Sequence, residues 1–155
     1  MSRKVLSIVD EAAGWISIIL NMENKQFVLT SVSYTTDAIG DLVRWGLQIA
    51  AGAAQANLTF DREPAVWRMH AESLFNISDG AGAVQISVYE PADIHAPTSE
   101  DDLVFRGDCG ALDLSAAILS EAKAFLDKPE TGWTTCPYPK SAIHALEAAL
   151  ASFAR

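Results

Sequence analysis

The chain has 155 residues, half of them hydrophobic, and its 20 acidic and 11 basic residues give a formal net charge of −9. That length suits one domain spanning residues 1–155, and it supplies enough apolar side chains for a core without covalent crosslinks. So acidic a chain lacks the lysine and arginine needed to neutralise phosphates, which excludes nucleic acid from the predicted partners.

Cysteine usage and hydropathy bear on the compartment. Cys109 and Cys136 are too few for a disulfide scaffold and too far apart for a CxxC motif. Asp10 and Glu11 interrupt the N-terminal apolar run, so it does not match a secretory signal. The apolar run from Ile16 to Leu20 is too short to cross a bilayer. We therefore expect a soluble cytoplasmic protein with no membrane partner.

The first elements have the two-residue period of strands. Apolar residues alternate from Ile16 to Met22, a polar turn follows from Asn21 to Lys25, and a second strand runs from Gln26 to Tyr34. These segments predict a hairpin. The shorter run from Val5 to Val9 fits either an additional strand or a short helix.

A helix is predicted next, because apolar residues recur at helical spacing from Ile39 to Ala50. Thr35 and Thr36 are suited to cap its first turn, and Gly52 is suited to end it. Gly40 inside a helix costs about 1 kcal/mol relative to alanine. We therefore expect a close approach of the backbone to the sheet at that position.

The chain then returns to strand periodicity. Strands are predicted from Ala56 to Asp61, around Trp67 to Ala71 and from Val84 to Tyr89, with a partner strand marked by Leu103 to Cys109. On the second of these, the Trp67 side should face the core. The first two strands are joined by a turn from Asp61 to Pro64 and form a second hairpin.

The remaining segments are one long loop and two helices. The loop from Pro91 to Asp102 has little to bury, so we expect it to be exposed and mobile. Helical stripes run from Leu114 to Phe125 and from Ile143 to Phe153, with Pro139 near the start of the second. Together the elements predict an α+β fold: a curved antiparallel sheet of about five to seven strands, one inserted helix and two C-terminal helices packed on one face.

Three groups of residues are candidate reactive centres: the acidic loop, Cys109 and the polar residues of the second hairpin. The acidic loop offers Asp93, His95, Glu100 and Asp101 to a cation, but their spacing matches no known cage, and a solvated loop is the favoured interpretation. Cys109 lies in an apolar strand pattern and is interpreted as a core residue. No catalytic residue, metal ligand or cofactor is predicted.

The hairpin offers an alternative polar site. Asp61, Glu63, Arg68 and His70 would place acids, a base and a cation on one wet face, as acid–base chemistry requires. The same residues arise from ordinary alternation on an amphipathic strand. Cross-strand charge pairing is therefore the favoured interpretation, and the site remains an alternative.

Aromatic side chains are the candidates for a binding surface. Trp45 lies on the flank of the predicted helix, and Trp133 and Tyr138 lie between the last two helices. Aromatic anchors dominate many protein interfaces, but aromatic side chains fill cores more often. These residues are predicted partner-binding candidates on that basis.

Two segments resemble a family of small uncharacterised bacterial proteins. The segments are SVSYTTDAIGDL, residues 31–42, and TFDREPAVWR, residues 59–68. The resemblance extends from Ser31 to Phe125 and implies a fold more than a function. The size and helix-on-sheet layout are also similar to those of immunity proteins from bacterial toxin systems, by architecture only.

The predicted function is a non-enzymatic module that binds a protein, with a basic partner favoured, in the manner of an acidic immunity-like inhibitor. The first alternative is a small-ligand carrier or enzyme with a pocket between sheet and helices. The second is a homo-oligomer built through an exposed sheet edge or the last helix. The enzyme predicts a deep pocket with convergent polar groups, whereas the module predicts a flat acidic face that bears exposed aromatic side chains.

Overall fold

A computed structural model describes residues 4–12, 14–33, 37–74, 82–127 and 139–153. These residues include seven strands and three α-helices. In chain order the elements are β1 (Leu6–Ala12), β2 (Trp15–Met22), β3 (Lys25–Ser33), α1 (Ala38–Ala50), β4 (Gln55–Asp61), β5 (Val66–Leu74), β6 (Ala83–Tyr89), β7 (Leu103–Gly110), α2 (Ala111–Leu126) and α3 (Lys140–Phe153). A short 3-10 helix, Glu100–Asp102, precedes β7.

The strands form two antiparallel sheets. Sheet A has the order β1-β2-β3, and sheet B has the order β4-β5-β6-β7. The α+β class, the antiparallel pairing, the inserted helix and the two C-terminal helices are confirmed, but the prediction of one curved sheet was wrong. Residue period identifies which face of a strand is buried without identifying its neighbours. Here α1 carries the chain from β3 in one sheet to β4 in the other.

The alternating patterns have the predicted sides. Trp67, Met69 and Ala71 are buried on β5, whereas Arg68 and His70 are only partly covered. The ambiguous N-terminal run is a strand, β1, at the edge of sheet A.

The two sheets face each other across an aromatic cluster. Phe27 of β3 meets Trp67 of β5 edge to face, with ring centroids 5.7 Å apart, and stacks on Phe105 of β7 at 5.6 Å. Such pairs stabilise a core beyond the area they bury. The surrounding hydrophobic cluster includes residues from all seven strands and all three helices.

The helices pack on the sheets and on one another. α1 contacts β4, α2 and α3, and α2 also contacts β1. At the crossing of α1 and α2, a Cβ added to Gly46 would lie 3.2 Å from two carbons of Ile118. The buried hydroxyl of Ser115 donates to the Gly46 carbonyl at 3.0 Å. The glycine therefore sets how closely the helices approach.

The predicted helix boundaries agree well with the structure. α1 ends before Gly52, which has a φ of +84°. Thr35 and Thr36, the predicted caps, lie outside the described residues. The apolar stripe of α2 is buried as expected, but Phe153 at the end of α3 is exposed.

Gly40 has a different explanation from the one expected. A Cβ at this position would lie 2.5 Å from the Asp37 carboxylate oxygen Oδ1, with no sheet atom among its nearest neighbours. Asp37 and Asp41 both bind Arg44, at 2.6 and 2.9 Å. The glycine thus makes room for a carboxylate at the start of α1.

Candidate functional site

The outer face of sheet B, turned away from the core, carries rows of polar side chains. Cross-strand pairing places Asn57 beside His70, His70 beside Ser87, and Ser87 beside Arg106. His70 Nδ1 and Asn57 Oδ1 are 2.7 Å apart, and Arg106 Nε donates to Ser87 Oγ at 2.9 Å. Neighbours within the row therefore hold each other in place.

Arg68 lies in the adjacent row, between Thr59 and Tyr89. Its Nη2 donates to the carbonyl of Ile94 at 2.8 Å, and its Nη1 donates to the carbonyl of Ala96 at 3.0 Å and to Thr98 Oγ1 at 3.3 Å. One guanidinium thus fastens the connection between β6 and β7 over the sheet. The predicted exposure of this loop is confirmed, and its mobility stays a prediction.

A cavity of about 420 Å³ lies between that connection and the sheet, and we call it the outer cavity. Its lining residues are Asn57, Leu58, Thr59, Arg68, Met69, His70, Tyr89 and Thr98. The lining contains amide, hydroxyl, imidazole and guanidinium groups and no carboxylate. That composition is unusual for a surface recess in so acidic a chain.

Glu100 is the carboxylate at the rim of the outer cavity. It accepts a hydrogen bond from the Tyr89 hydroxyl at 2.9 Å and an ion-pair contact from Arg106 Nη2 at 3.0 Å. These contacts, that with Tyr89 first, lower the pKa of Glu100. Glu100 in turn makes the largest contribution to the raised pKa of Arg106.

The predicted polar site is divided by the structure. Arg68 and His70 line the outer cavity together, whereas Asp61 and Glu63 do not. Glu63 lines a separate, open recess of about 660 Å³ that also includes Trp15 and the paired side chains Arg62 and Glu90. Acid, base and cation are therefore not gathered at one place.

Sequence reasoning missed several cavity residues. The alternation of polar and apolar residues in β4 is typical of a strand with Asn57 and Thr59 on its solvent-facing side. No local sequence pattern indicates that Tyr89 and Thr98 line the same cavity. That grouping depends on strand pairing and on the folded-back loop, which residue period does not encode.

β4 is an edge strand of sheet B, and the phase of its hydrogen bonds can be deduced. Ser73 N donates to Ala54 O and Arg62 N donates to Ala65 O, each at 2.9 Å, at the two ends of a continuous register with β5. In an antiparallel ladder such pairs alternate with pairs whose peptide groups point outward. The peptide groups of Asn57 and Thr59 therefore face away from β5.

On each of the other sheet edges, at least one outward peptide group is bound by a side chain. On β7, Lys25 Nζ donates to Arg106 O at 2.6 Å, and Asp108 N donates to Glu23 Oε1 at 2.9 Å. On β1, Ile8 N donates to Glu121 Oε1 at 2.9 Å. On β3, Trp67 Nε1 donates to Thr30 O at 2.8 Å.

The outward peptide groups of β4 have no such cover from any described residue. The indole of Trp45 does reach this strand, but it donates to Ala56 O at 3.1 Å, a carbonyl whose ladder phase points to β5. Unpaired edges are ready templates for pairing with another chain. β4 is the open edge of the described fold.

A groove of about 390 Å³ runs between this edge and α1, and we call it the edge groove. Its lining residues are Asp41, Arg44, Trp45, Gln48, Asn57, Leu58 and Thr59. Arg44 binds two carboxylates, those of Asp37 and Asp41, and the bond with Asp37 makes the largest contribution to its raised pKa. This local cluster therefore has more acid than base.

The sheet B end nearest the turn between β4 and β5 is acidic. Pairing brings that turn, the end of β6 and the start of β7 together, and Glu90 N donates to Asp102 O at 2.9 Å. The carboxylates there belong to Asp61, Glu63, Glu90, Asp93, Glu100, Asp101 and Asp102. The neighbouring cations, those of Arg62, Arg68 and Arg106, are fewer.

The aromatic candidates contribute little to this surface. Trp45 is only 2% exposed and belongs to the core, which corrects its predicted place as a surface anchor on the helix flank. The wide apolar face of α1 explains the difference, because it includes the predicted flank. Trp133 and Tyr138 lie outside the described residues.

Cys109 is the described cysteine, and its surroundings make it unreactive. Burial raises the pKa of Cys109 to about 12, with smaller contributions from Asp113, Asp108 and Glu23. A thiol with so high a pKa is a poor nucleophile at neutral pH. The described His, Cys, Asp and Glu side chains include no group of three or more placed to hold a metal ion.

Comparison of the chain with protein families, curated proteins and solved structures found no match. Among the described residues, no helix has an apolar stretch long enough to cross a membrane.

Proposed function

We propose that this chain is a non-enzymatic binding module that takes an extended segment of a partner protein as an added strand on β4. The observation that carries the proposal is the edge of β4, whose outward peptide groups are bound by no described side chain, whereas at least one outward peptide group is bound by a side chain on each of the other described sheet edges. Strand addition provides affinity through main-chain hydrogen bonds, and alternate side chains provide specificity.

The surroundings of β4 indicate the chemistry of the segment. Asp61 lies at the end of the strand beside the acidic end of sheet B, and Asp37 and Asp41 flank the edge groove from α1. A segment carrying lysine or arginine is therefore favoured, and opposite charge would also speed its association. Its other side chains would lie against Gln48 and Asn57, exposed residues that line the groove.

The proposal includes an immunity-like role, since an acidic module that captures a basic partner would act as an inhibitor of that kind. The predicted cytoplasmic location belongs to the same proposal. A second copy of the chain is a less favourable occupant, because two chains of net charge −9 repel each other.

The test selects binding peptides from a displayed library of random extended peptides and compares two variants at one position. Thr59→Pro removes an outward N–H, which proline tolerates at a sheet edge without loss of a ladder bond to β5. Thr59→Val keeps that N–H and alters only the side chain. We expect lysine- or arginine-rich peptides whose binding to Thr59→Pro is at least about tenfold weaker, while Thr59→Val binds like the parent chain.

Circular dichroism and thermal melting of both variants would verify that the fold is intact. Peptide binding should also slow hydrogen exchange of the Asn57 amide, since this group would donate to the added strand. Equal binding of the selected peptides to both variants would refute strand addition at β4. Failure to select any peptide would refute the binding module itself.

A further inference from the structure

Arg68 differs from the other arginines of the described residues. Arg44, Arg62 and Arg106 each form an ion pair with a carboxylate. Arg68 instead donates to two loop carbonyls and one hydroxyl. Neutral acceptors orient a guanidinium without cancelling its charge, so Arg68 leaves a fixed positive charge in the lining of the outer cavity.

Part of the Arg68 donor set remains available. A guanidinium has five N–H groups in a planar fork. The three acceptors seen here engage two on Nη1 and one on Nη2, so the Nε–H and one Nη2–H have no acceptor among the described residues. Neighbouring guanidinium N–H groups bind both oxygens of a carboxylate, in short charge-assisted bonds.

The rest of the lining favours the same kind of ligand. His70 is oriented by Asn57, and the cavity lining adds the hydroxyls of Thr59 and Thr98. Glu100, the acid at the rim, already binds both Tyr89 and Arg106. Repulsion of an anion at contact range is therefore limited, although the chain as a whole is acidic.

We infer that the outer cavity is a binding site for a small organic carboxylate, held by Arg68 and enclosed by Thr59, His70, Tyr89 and Thr98. Its volume of about 420 Å³ is in the range of small-molecule sites. This cavity shares Asn57, Leu58 and Thr59 with the edge groove, whereas Arg68, His70 and Thr98 line the outer cavity alone.

The experiment is an NMR titration of the ¹⁵N-labelled full chain with benzoate, with benzamide as the neutral match and with inorganic phosphate. Benzoate should bind saturably below about 20 mM and shift the Arg68 Nε–H and the amides of Thr59, His70 and Thr98. Benzamide should bind at least about tenfold more weakly, because it lacks the charge that Arg68 recognises.

Two variants locate the site. Thr59→Phe places a ring in the cavity and should weaken benzoate binding about tenfold or more. Gln55→Phe, on the same exposed face of β4 but outside the lining, should change it less than about twofold. Amide spectra of both variants would show whether the fold is kept, and Arg68→Lys offers a further variant that keeps the charge but loses the fork.

Several results would overturn the inference. They are no saturable benzoate binding, equal binding of benzoate and benzamide, binding of phosphate alone, and benzoate shifts that persist unchanged in Thr59→Phe. None of these outcomes depends on peptide binding at the β4 edge, so the two proposals succeed or fail separately.

Discussion

Hydrogen bonds at the rim of the outer cavity shift the pKa of individual side chains. The pKa of Glu100 is lowered chiefly by the Tyr89 hydroxyl and next by Arg106. Tyr89→Phe should therefore raise the pKa of Glu100 toward its ordinary value of 4.5, as measured by carbon NMR of the carboxyl group.

The sign of the linked stability effect follows from the direction of that shift. A folded-state pKa below the unfolded one stabilises the fold above the unfolded value, and this contribution disappears as the pH falls through the folded value. In Tyr89→Phe, the free energy of unfolding should therefore decrease less steeply as the pH is lowered through the range in which Glu100 is protonated. Thr98→Val, whose hydroxyl does not contact Glu100, is the control. An unchanged Glu100 titration in Tyr89→Phe would contradict this assignment of cause.

The pKa of Cys109 is shifted in the opposite direction, upward. Its pKa of about 12 results first from burial and then from nearby acids, so the thiol remains protonated across the physiological range. The interpretation of this residue as a core side chain rested on the apolar strand pattern around it, and its packing against the hydrophobic cluster agrees. A cysteine in such surroundings contributes volume rather than reactivity.

Among the elements, the crossing of α1 and α2 is the most sensitive to side-chain size. Gly46→Val should lower the free energy of unfolding by about 1–3 kcal/mol, because the new carbons overlap with Ile118. Gln48→Val, exposed on the same helix, introduces the same side chain without the clash and should cost about 0.5 kcal/mol or less, from its small loss of helix propensity. Urea denaturation would measure both, and equal losses would contradict the packing argument.

The elements themselves were largely predictable from residue period. The helix from Ile39 and the strand around Trp67 each have one apolar side, and burial follows that side. The strand around Val84 also buries Ser87 and Tyr89 on its opposite face. The pairing of the strands was not predictable in the same way, because the alternation of residues along one strand does not identify the adjacent strands. The single predicted sheet is therefore two, and only the structure shows that Glu121 of α2 covers the edge of β1.

The candidate sites were less predictable than the elements. Arg68 and His70 were correctly placed on a wet face, but the residues that complete their cavity arrive from β4, β6 and the β6–β7 connection. The sequence also does not reveal an open edge. The residue pattern of β4 is that of an ordinary strand, and its edge is open only because no other described part of the fold covers it. Both features are properties of topology.

At the scale of the whole molecule, charge and edge protection act together. The excess of acids opposes self-association, and side chains bind outward peptide groups on each described sheet edge except that of β4. We expect a monomer by size-exclusion chromatography with light scattering at about 100 µM and moderate salt, with a Debye length of about 8 Å. A dimer that Thr59→Pro abolishes would instead identify a second copy as the occupant of the edge.

The position of Arg68 links two parts of the molecule that are far apart in sequence. The same guanidinium that holds Ile94, Ala96 and Thr98 against the sheet also faces the outer cavity. An occupant that draws this group toward itself must loosen the connection by an equivalent free energy, whereas one that uses only the unengaged donors leaves those three bonds in place. Susceptibility of residues 93–98 to a protease would thus rise in the first case and not in the second.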